Sequence, residues 1–240
     1  MDSKPAPAVT IDAQIPRPKG VTSDSATLAI DVTDLGFSYG DNTVLRMERC
    51  ELDRGRSMAV IGPSGCGKTT FLHLLAGLIR PSTGAIRILG QDLTQLRGAP
   101  LDRFRGRHIG LVFQRFHLLP ALSVRENVLL AQRLGGSGID AARVATLLER
   151  LDLGGLEQHK PSMLSQGQAQ RVAIARALVH GPQLIMADEP TSALDDQHAE
   201  QALALLQTSA QSVGAALLVV THDQRVRGCL DGEFEMQVPR

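Results

Sequence analysis

Apolar positions along this chain fall into two patterns. Ser57-Met58-Ala59-Val60-Ile61, Ile109-Gly110-Leu111-Val112-Phe113, Leu184-Ile185-Met186-Ala187 and Ala216 to Val220 are short, nearly continuous apolar runs. Runs of that length without alternation predict strands buried on both faces. Leu28-Ala29-Ile30-Asp31-Val32 alternates weakly, and Val44 to Leu52 and Ala85 to Leu89 add further strand patterns. Pro81-Ser82-Thr83-Gly84 reads as a turn, and Gly232 to Met236 as a short closing strand. Thr70 to Leu78 is mostly apolar and predicts a largely buried helix. Ser123 with Glu126 makes a capping box ahead of Val128-Leu129-Leu130. Beyond the Gly135–Gly138 break, Asp140 caps a helix that sets Val144, Leu147, Leu148 and Leu151 on one face. Gln168 to Val179 predicts another helix. Asp195 opens one more, with Ala199, Ala202, Leu203 and Leu206 inward. The expected fold is α/β: a mainly parallel sheet, interrupted by a helical insert at about 115–180.

Composition narrows the function. At 240 residues the chain has ample length for a core, and Lys plus Arg balance Asp plus Glu at 25 each. That balance gives no net field to attract nucleic acid, and aromatics at 3% leave few rings to stack on bases. Cys50, Cys66 and Cys229 lie far apart and fit no metal spacing, which suits a reducing compartment. No apolar run approaches the roughly 18 residues that span a bilayer. Residues 1–27, with Pro5, Pro7, Pro16 and Pro18, read as a disordered leader without a signal peptide. Arg97, Arg103, Arg105 and Arg107 form a basic segment, read as a solvated face.

One stretch carries specific chemistry. The residues Gly62, Pro63, Ser64, Gly65, Cys66, Gly67, Lys68, Thr69 and Thr70 link an apolar strand to a helix. Strand, glycine-rich loop ending in Lys-Thr, then helix is what a phosphate-binding P-loop requires. Glycines let backbone N–H groups curl around an oxyanion, and the helix N-terminus adds unpaired donors. Lys68 is placed for the β and γ phosphates, and the Thr69 hydroxyl for Mg²⁺. Cys66 has two readings, an oxidisable thiol or a small residue that fits the loop. Three other strands also end in polar groups at the same expected edge: Gln114, Asp188-Glu189 and His222. Asp188 is placed to hold Mg²⁺ opposite Thr69, Glu189 to polarise an attacking water, and Gln114 and His222 to sense the γ-phosphate.

Leu164-Ser165-Gln166-Gly167-Gln168, followed by Gln170 to Leu178, and Asp188-Glu189-Pro190-Thr191-Ser192-Ala193-Leu194-Asp195 then identify a family. With the P-loop, these motifs resemble the ATP-binding cassette ATPases from about Leu28 to the C-terminus. The resemblance implies a RecA-like P-loop NTPase core at about 28–114 and 181–240, with an N-terminal antiparallel β region and the helical insert as a subdomain. It implies ATP hydrolysis with Mg²⁺. Tyr39, which position alone would assign to core packing, becomes the adenine-stacking ring. Gln114 becomes the Q-loop residue and a metal ligand, Glu189 the catalytic base, and His222 the switch histidine. Asp195 falls at a dimer seam, where Ser165, Gly167 and Gln168 of one copy close over the nucleotide of another. The common signature has glycine where this chain has Gln166, a substitution expected to restrict the loop.

Arg107 to Pro120 and Glu126-Asn127-Val128 are similar to the lipoprotein-release and macrolide-export branch. That similarity implies an integral membrane permease subunit as a separate partner, and work at the cytoplasmic face of the bacterial inner membrane. Phe116, Leu118, Leu119 and Pro120 would receive the partner's coupling helix. The same motifs serve mechanotransmitting cassettes and uptake ATPases, so the choice among these stays open at this point.

Overall fold

A computed structural model describes residues 27–40, 42–136, 138–192 and 194–237. The expected leader falls, but for Thr27, outside the described residues, as do Ser137 and Ala193. In chain order the elements are β1 (Leu28–Tyr39), β2 (Asn42–Asp53), β3 (Ser57–Ile61), α1 (Lys68–Leu75), β4 (Thr83–Ile88), β5 (Gln91–Asp92) and α2 (Ala99–His108). There follow β6 (Ile109–Val112), α3 (Val124–Leu134), α4 (Ala141–Arg150), α5 (Gln166–Leu178), β7 (Leu184–Asp188), α6 (Asp196–Ser212), β8 (Ala216–Thr221) and β9 (Gly232–Glu235). An antiparallel sheet runs β2-β1-β4-β5, and a parallel sheet runs β6-β7-β8-β3-β9.

The continuous apolar runs are explained by what covers each face. Met58 and Val60 of β3, Leu184 and Met186 of β7, and Ala216, Leu218 and Val220 of β8 join one cluster with α1 and the antiparallel sheet. Their alternate neighbours Ala59, Ile61, Ile185, Ala187, Leu217 and Val219 join a second cluster with α3, α4, α5 and α6. Side chains of a strand point to opposite faces in turn, so a sheet covered on both sides needs apolar residues at every position.

Several boundaries differ from expectation. β1 runs on through Gly36 to Tyr39, because pairing with both β2 and β4 extends it beyond its apolar start. β4 takes in Thr83 and Gly84, which the sequence pattern assigns to a turn. α1 stops at Leu75, and Leu78 lies beyond it, 42% exposed. The stop is a Schellman motif: Gly77 takes φ +64°, its N–H bonds Leu74 O at 3.0 Å, and Leu78 N–H bonds His73 O at 2.9 Å. Arg97, Arg103 and Arg107 of the basic segment are exposed as expected, whereas Arg105 is half-buried; residues 99–108 fold as α2, a helix without a fully buried residue. An apolar stripe, the usual sign of a helix, is missing there.

Candidate active site

Parallel strands bring their carboxyl ends to one edge, and register decides which residues meet there. Ile61 pairs with Thr221, and Asp188 with Val220. The loop after β3, the end of β7 and the end of β8 are therefore neighbours. Gly65 and Gly67 turn that loop with φ of +81° and +94°, a region open to glycine at little cost. Lys68, buried at the first turn of α1, donates from Nζ to Gly62 O at 2.8 Å and Pro63 O at 2.9 Å. Its ammonium also lies 3.7 Å from Glu189 Oε1. The Thr69 hydroxyl donates to Asp188 Oδ1 at 3.2 Å. Burial pushes the Asp188 carboxyl up from its ordinary range, against the opposing pull of the Thr69 hydrogen bond. A hydroxyl and a desolvated carboxylate, both hard oxygen donors in reach of each other, suit a small divalent cation.

Glu189 is held at φ +46°, uncommon for a residue with a side chain and a form of strain that gathers at functional sites. Three bonds aim its carboxylate: from Thr221 Oγ1 at 2.9 Å, His222 N at 3.1 Å and His222 Nδ1 at 2.8 Å. With a carboxylate as acceptor, Nδ1 of His222 carries the proton. Gln114 stands across the edge, where its Nε2 donates to Ser192 Oγ at 3.3 Å, and Ser192 Oγ donates to Glu189 O at 3.1 Å. Gln114 thus joins the Glu189 turn rather than bonding Thr69 or Asp188. Tyr39 is 61% exposed and meets Phe37 edge-on at 4.8 Å, so core packing is excluded for it. Cys66 is buried and its thiol is pushed up by burial despite Lys68 nearby. Thiolate character is suppressed, which favours the small-residue reading.

The remaining expected residues form a second group. Ser165 caps α5: its Oγ accepts from Gln168 N at 3.2 Å, and Gln168 Oε1 accepts from Ser165 N at 2.8 Å. This capping box places the start of α5 at Gln166, two residues ahead of expectation. Ser165, Gln166 and Gly167 are exposed, and the side-chain bonds of Ser165 and Gln168 stay within the cap. Asp195 is also exposed and caps α6, accepting from His198 N at 3.0 Å. Gln166 occupies the first helical position, where right-handed backbone is needed and the freedom of glycine is not used. The expected restriction by Gln166 is therefore absent from the fold. Gln166→Gly should leave ATP turnover within about twofold and lower thermal stability by up to about 1 kcal/mol. Phosphate release and a melting curve check this, and a large gain in turnover would show that the side chain obstructs the loop.

A family model described as ABC transporter matches residues 45–192. The chain belongs to the ABC transporter family. The cassette is 41% identical over 204 residues to the lipoprotein-releasing system ATP-binding protein LolD of Alcanivorax borkumensis, covering 83% of this chain and 90% of that protein. It is 46% identical over 194 residues to the macrolide export ATP-binding/permease protein MacB 1 of Aeromonas hydrophila, covering 79% of this chain but 30% of that protein. A dimeric ATP-binding cassette solved in a post-hydrolysis state bound to ADP and Pi superposes with a TM-score of 0.78 at 32% identity, covering 88% of this chain and 97% of the other. The cassette is an ABC-type ATPase with the P-loop NTPase fold, and ATP is its nucleotide. Thr191, Thr221, Asp223 and Arg225, which bond within the site's edge, escaped the sequence reading. Thr191 lies in the quoted 188–195 motif, and for Thr221, Asp223 and Arg225 the one signal was position close to His222.

Proposed function

We propose that this cassette pairs with a second copy around two Mg-ATP and powers a separate integral membrane protein of the release or export type. The observation that carries this reading is the division of the candidate site. Lys68, Thr69, Asp188, Glu189 and His222 converge on one edge, whereas Ser165 and Gly167 present an exposed helix start with its own cap. A helix N-terminus offers N–H donors to a phosphate. Two copies related by a two-fold axis would each supply that end to the other's nucleotide, an isologous pairing. The neighbour solved as a dimer supports the pairing.

In this reading Thr69 and Asp188 would hold Mg²⁺, which would supply charge neutralisation at the phosphates. Gln114, whose amide nitrogen bonds Ser192, would add its side-chain oxygen to the same cation. Gly62 to Thr70 cradle the phosphates, Tyr39 stacks on the adenine and Asp195 faces the seam between copies. Glu189 accepts the proton of the attacking water, and His222 fixes the carboxylate that does so. Likeness to LolD along nearly its whole length favours the release branch, and no described helix is long and apolar enough to cross a membrane. The cassette would then sit at the cytoplasmic face of a bacterial inner membrane. Leu119 and Pro120 are exposed beside half-buried Phe116 and Leu118, a suitable seat for a partner's coupling helix. No nucleic acid enters this scheme.

Tagged Glu189→Gln, drawn from native membranes with Mg²⁺ and ATP and read by mass spectrometry, tests the partner. A membrane protein with few spans and a large periplasmic domain is expected. A many-helix permease would move the reading to conventional transport or uptake, and soluble proteins alone would overturn it.

A further inference from the structure

One network of hydrogen bonds at the catalytic edge, partly buried and partly exposed, has no place in the scheme so far. Arg225 lies on the single turn Gln224–Val226 that follows β8, three residues beyond His222. Its guanidinium bonds three separate segments. Nε donates to Asp223 Oδ1 at 2.8 Å and Oδ2 at 3.0 Å, and Nη2 donates to Asp223 Oδ2 at 2.7 Å. Nη1 donates to Asp196 Oδ1 at 2.6 Å, at the start of α6. Nη2 also reaches Leu194 O at 3.3 Å and Thr191 O at 3.5 Å, on the loop between Glu189 and α6. Asp223 closes the web, since its Oδ2 accepts from Thr191 Oγ1 at 2.7 Å and its N–H donates to Thr221 Oγ1 at 3.0 Å. Thr221 Oγ1 in turn donates to Glu189 Oε2 at 2.9 Å. A continuous path of hydrogen bonds therefore runs from the Asp196 carboxylate through Arg225, Asp223 and Thr221 to the Glu189 carboxylate.

The parts of this path are unequal in burial. Thr191 and Thr221 are buried and the Asp223 side chain is 8% exposed, but the Asp196 side chain is 91% exposed. The inner part is shielded from water, Arg225 is partly exposed and the outer anchor is wet. The Arg225 bonds, with help from Thr191, hold the Asp223 carboxyl at about 2, so it stays ionised and paired across the working range. The planar fork of arginine suits it to bind a carboxylate through two nitrogens while a third N–H reaches elsewhere.

We propose that Arg225 is a positioning residue that locks the 191–196 loop to the His222 turn and so sets the aim of the Glu189–His222 pair. Displacement of the loop at Asp196 is passed through the guanidinium to Asp223, and from there to Thr221 and Glu189. The bonds of Arg225 go to the loop and its own turn and not to the Gly62–Thr70 loop. Its effect falls on turnover and not on nucleotide binding.

ATP turnover and the Kd of a fluorescent ATP analogue, measured on the isolated cassette, test this without any membrane partner. Failure of the partner assignment therefore leaves the test intact. Arg225→Gln should lower kcat about tenfold, with analogue Kd within about twofold. Arg225→Lys should recover only part of the loss, because an ammonium cannot bridge Asp223 and Asp196 with fixed geometry. Asp196→Asn should lower kcat about threefold with an unchanged melting temperature, and the double variant with Arg225→Gln should be no worse than Arg225→Gln alone. Unchanged kcat in Arg225→Gln, full recovery with lysine, or losses that multiply in the double variant would each overturn the proposal. Should Arg225→Gln fail to fold, Asp196→Asn decides by itself: unchanged kcat there also overturns it.

Discussion

Glu189→Gln is expected to lower ATP turnover by about 10²–10⁴-fold, the usual contribution of a positioned general base. ATP affinity should stay within about threefold, because the change removes no phosphate contact. The carboxamide keeps the shape of the carboxylate, and its single oxygen, set where Oε2 stands, can still accept from Thr221 Oγ1 and His222 N, which lie 2.9 and 3.3 Å from Oε2. What it loses is the capacity to take a proton, the bond from His222 Nδ1 and the attraction to Lys68 at 3.7 Å. In the proposed pairing, a cassette that binds ATP and cannot hydrolyse it accumulates as the closed dimer. Size exclusion with Mg²⁺ and ATP measures that directly. Turnover within a few-fold of wild type would remove Glu189 from the role of base, and a monomer under those conditions would count against the pairing.

The legible and the illegible parts of this chain divide along a physical line. β3, β7 and β8 could be read because burial on both faces demands apolar residues at every position, a pattern few other elements share. The Ser123–Glu126 box ahead of α3 and the Asp140 cap of α4 were equally plain, since each satisfies helix-end donors through a local side chain. The matching box at Ser165 uses Gln168 in place of glutamate, and the start of α5 was read two residues late. α2 was invisible as a helix because it buries no residue fully, and half-buried Leu101 and Phe104 are too few to mark a periodicity. At the candidate site, residues at strand ends could be named one by one from the polar punctuation of apolar runs. Their partners could not. Asp223, Arg225 and Asp196 look like any solvated charges in a linear chain, and the parallel register alone carries the β8 turn to the loop after β7. The strain at Glu189 is likewise a product of neighbours on two strands and leaves no mark in residue type.

Lys68→Ala is expected to weaken ATP binding by about 100-fold or more, with loss of turnover at ordinary ATP concentrations. Charge-assisted hydrogen bonds contribute about 1.5–3 kcal/mol each, and each 1.4 kcal/mol is about a factor of ten in Kd. Lys68 is 6% exposed, and its ammonium is held by the Gly62 and Pro63 carbonyls on the loop that would wrap the phosphates. Alanine at that position removes the one cation buried between the loop and Glu189 among the described residues. The helix itself should persist, since alanine has the best helix propensity and α1 is anchored by Phe71, Leu72, Leu74 and Leu75. The expected loss is therefore one of binding, separable from folding by a melting curve. It also contrasts with Glu189→Gln, which should spare affinity and abolish turnover. Calorimetry distinguishes the two variants on the same day and in the same buffer. Equal ATP affinity in Lys68→Ala and wild type would mean that the phosphates do not sit in the Gly62–Thr69 loop, and the assignment of Thr69 and Asp188 to the cation would fall with it.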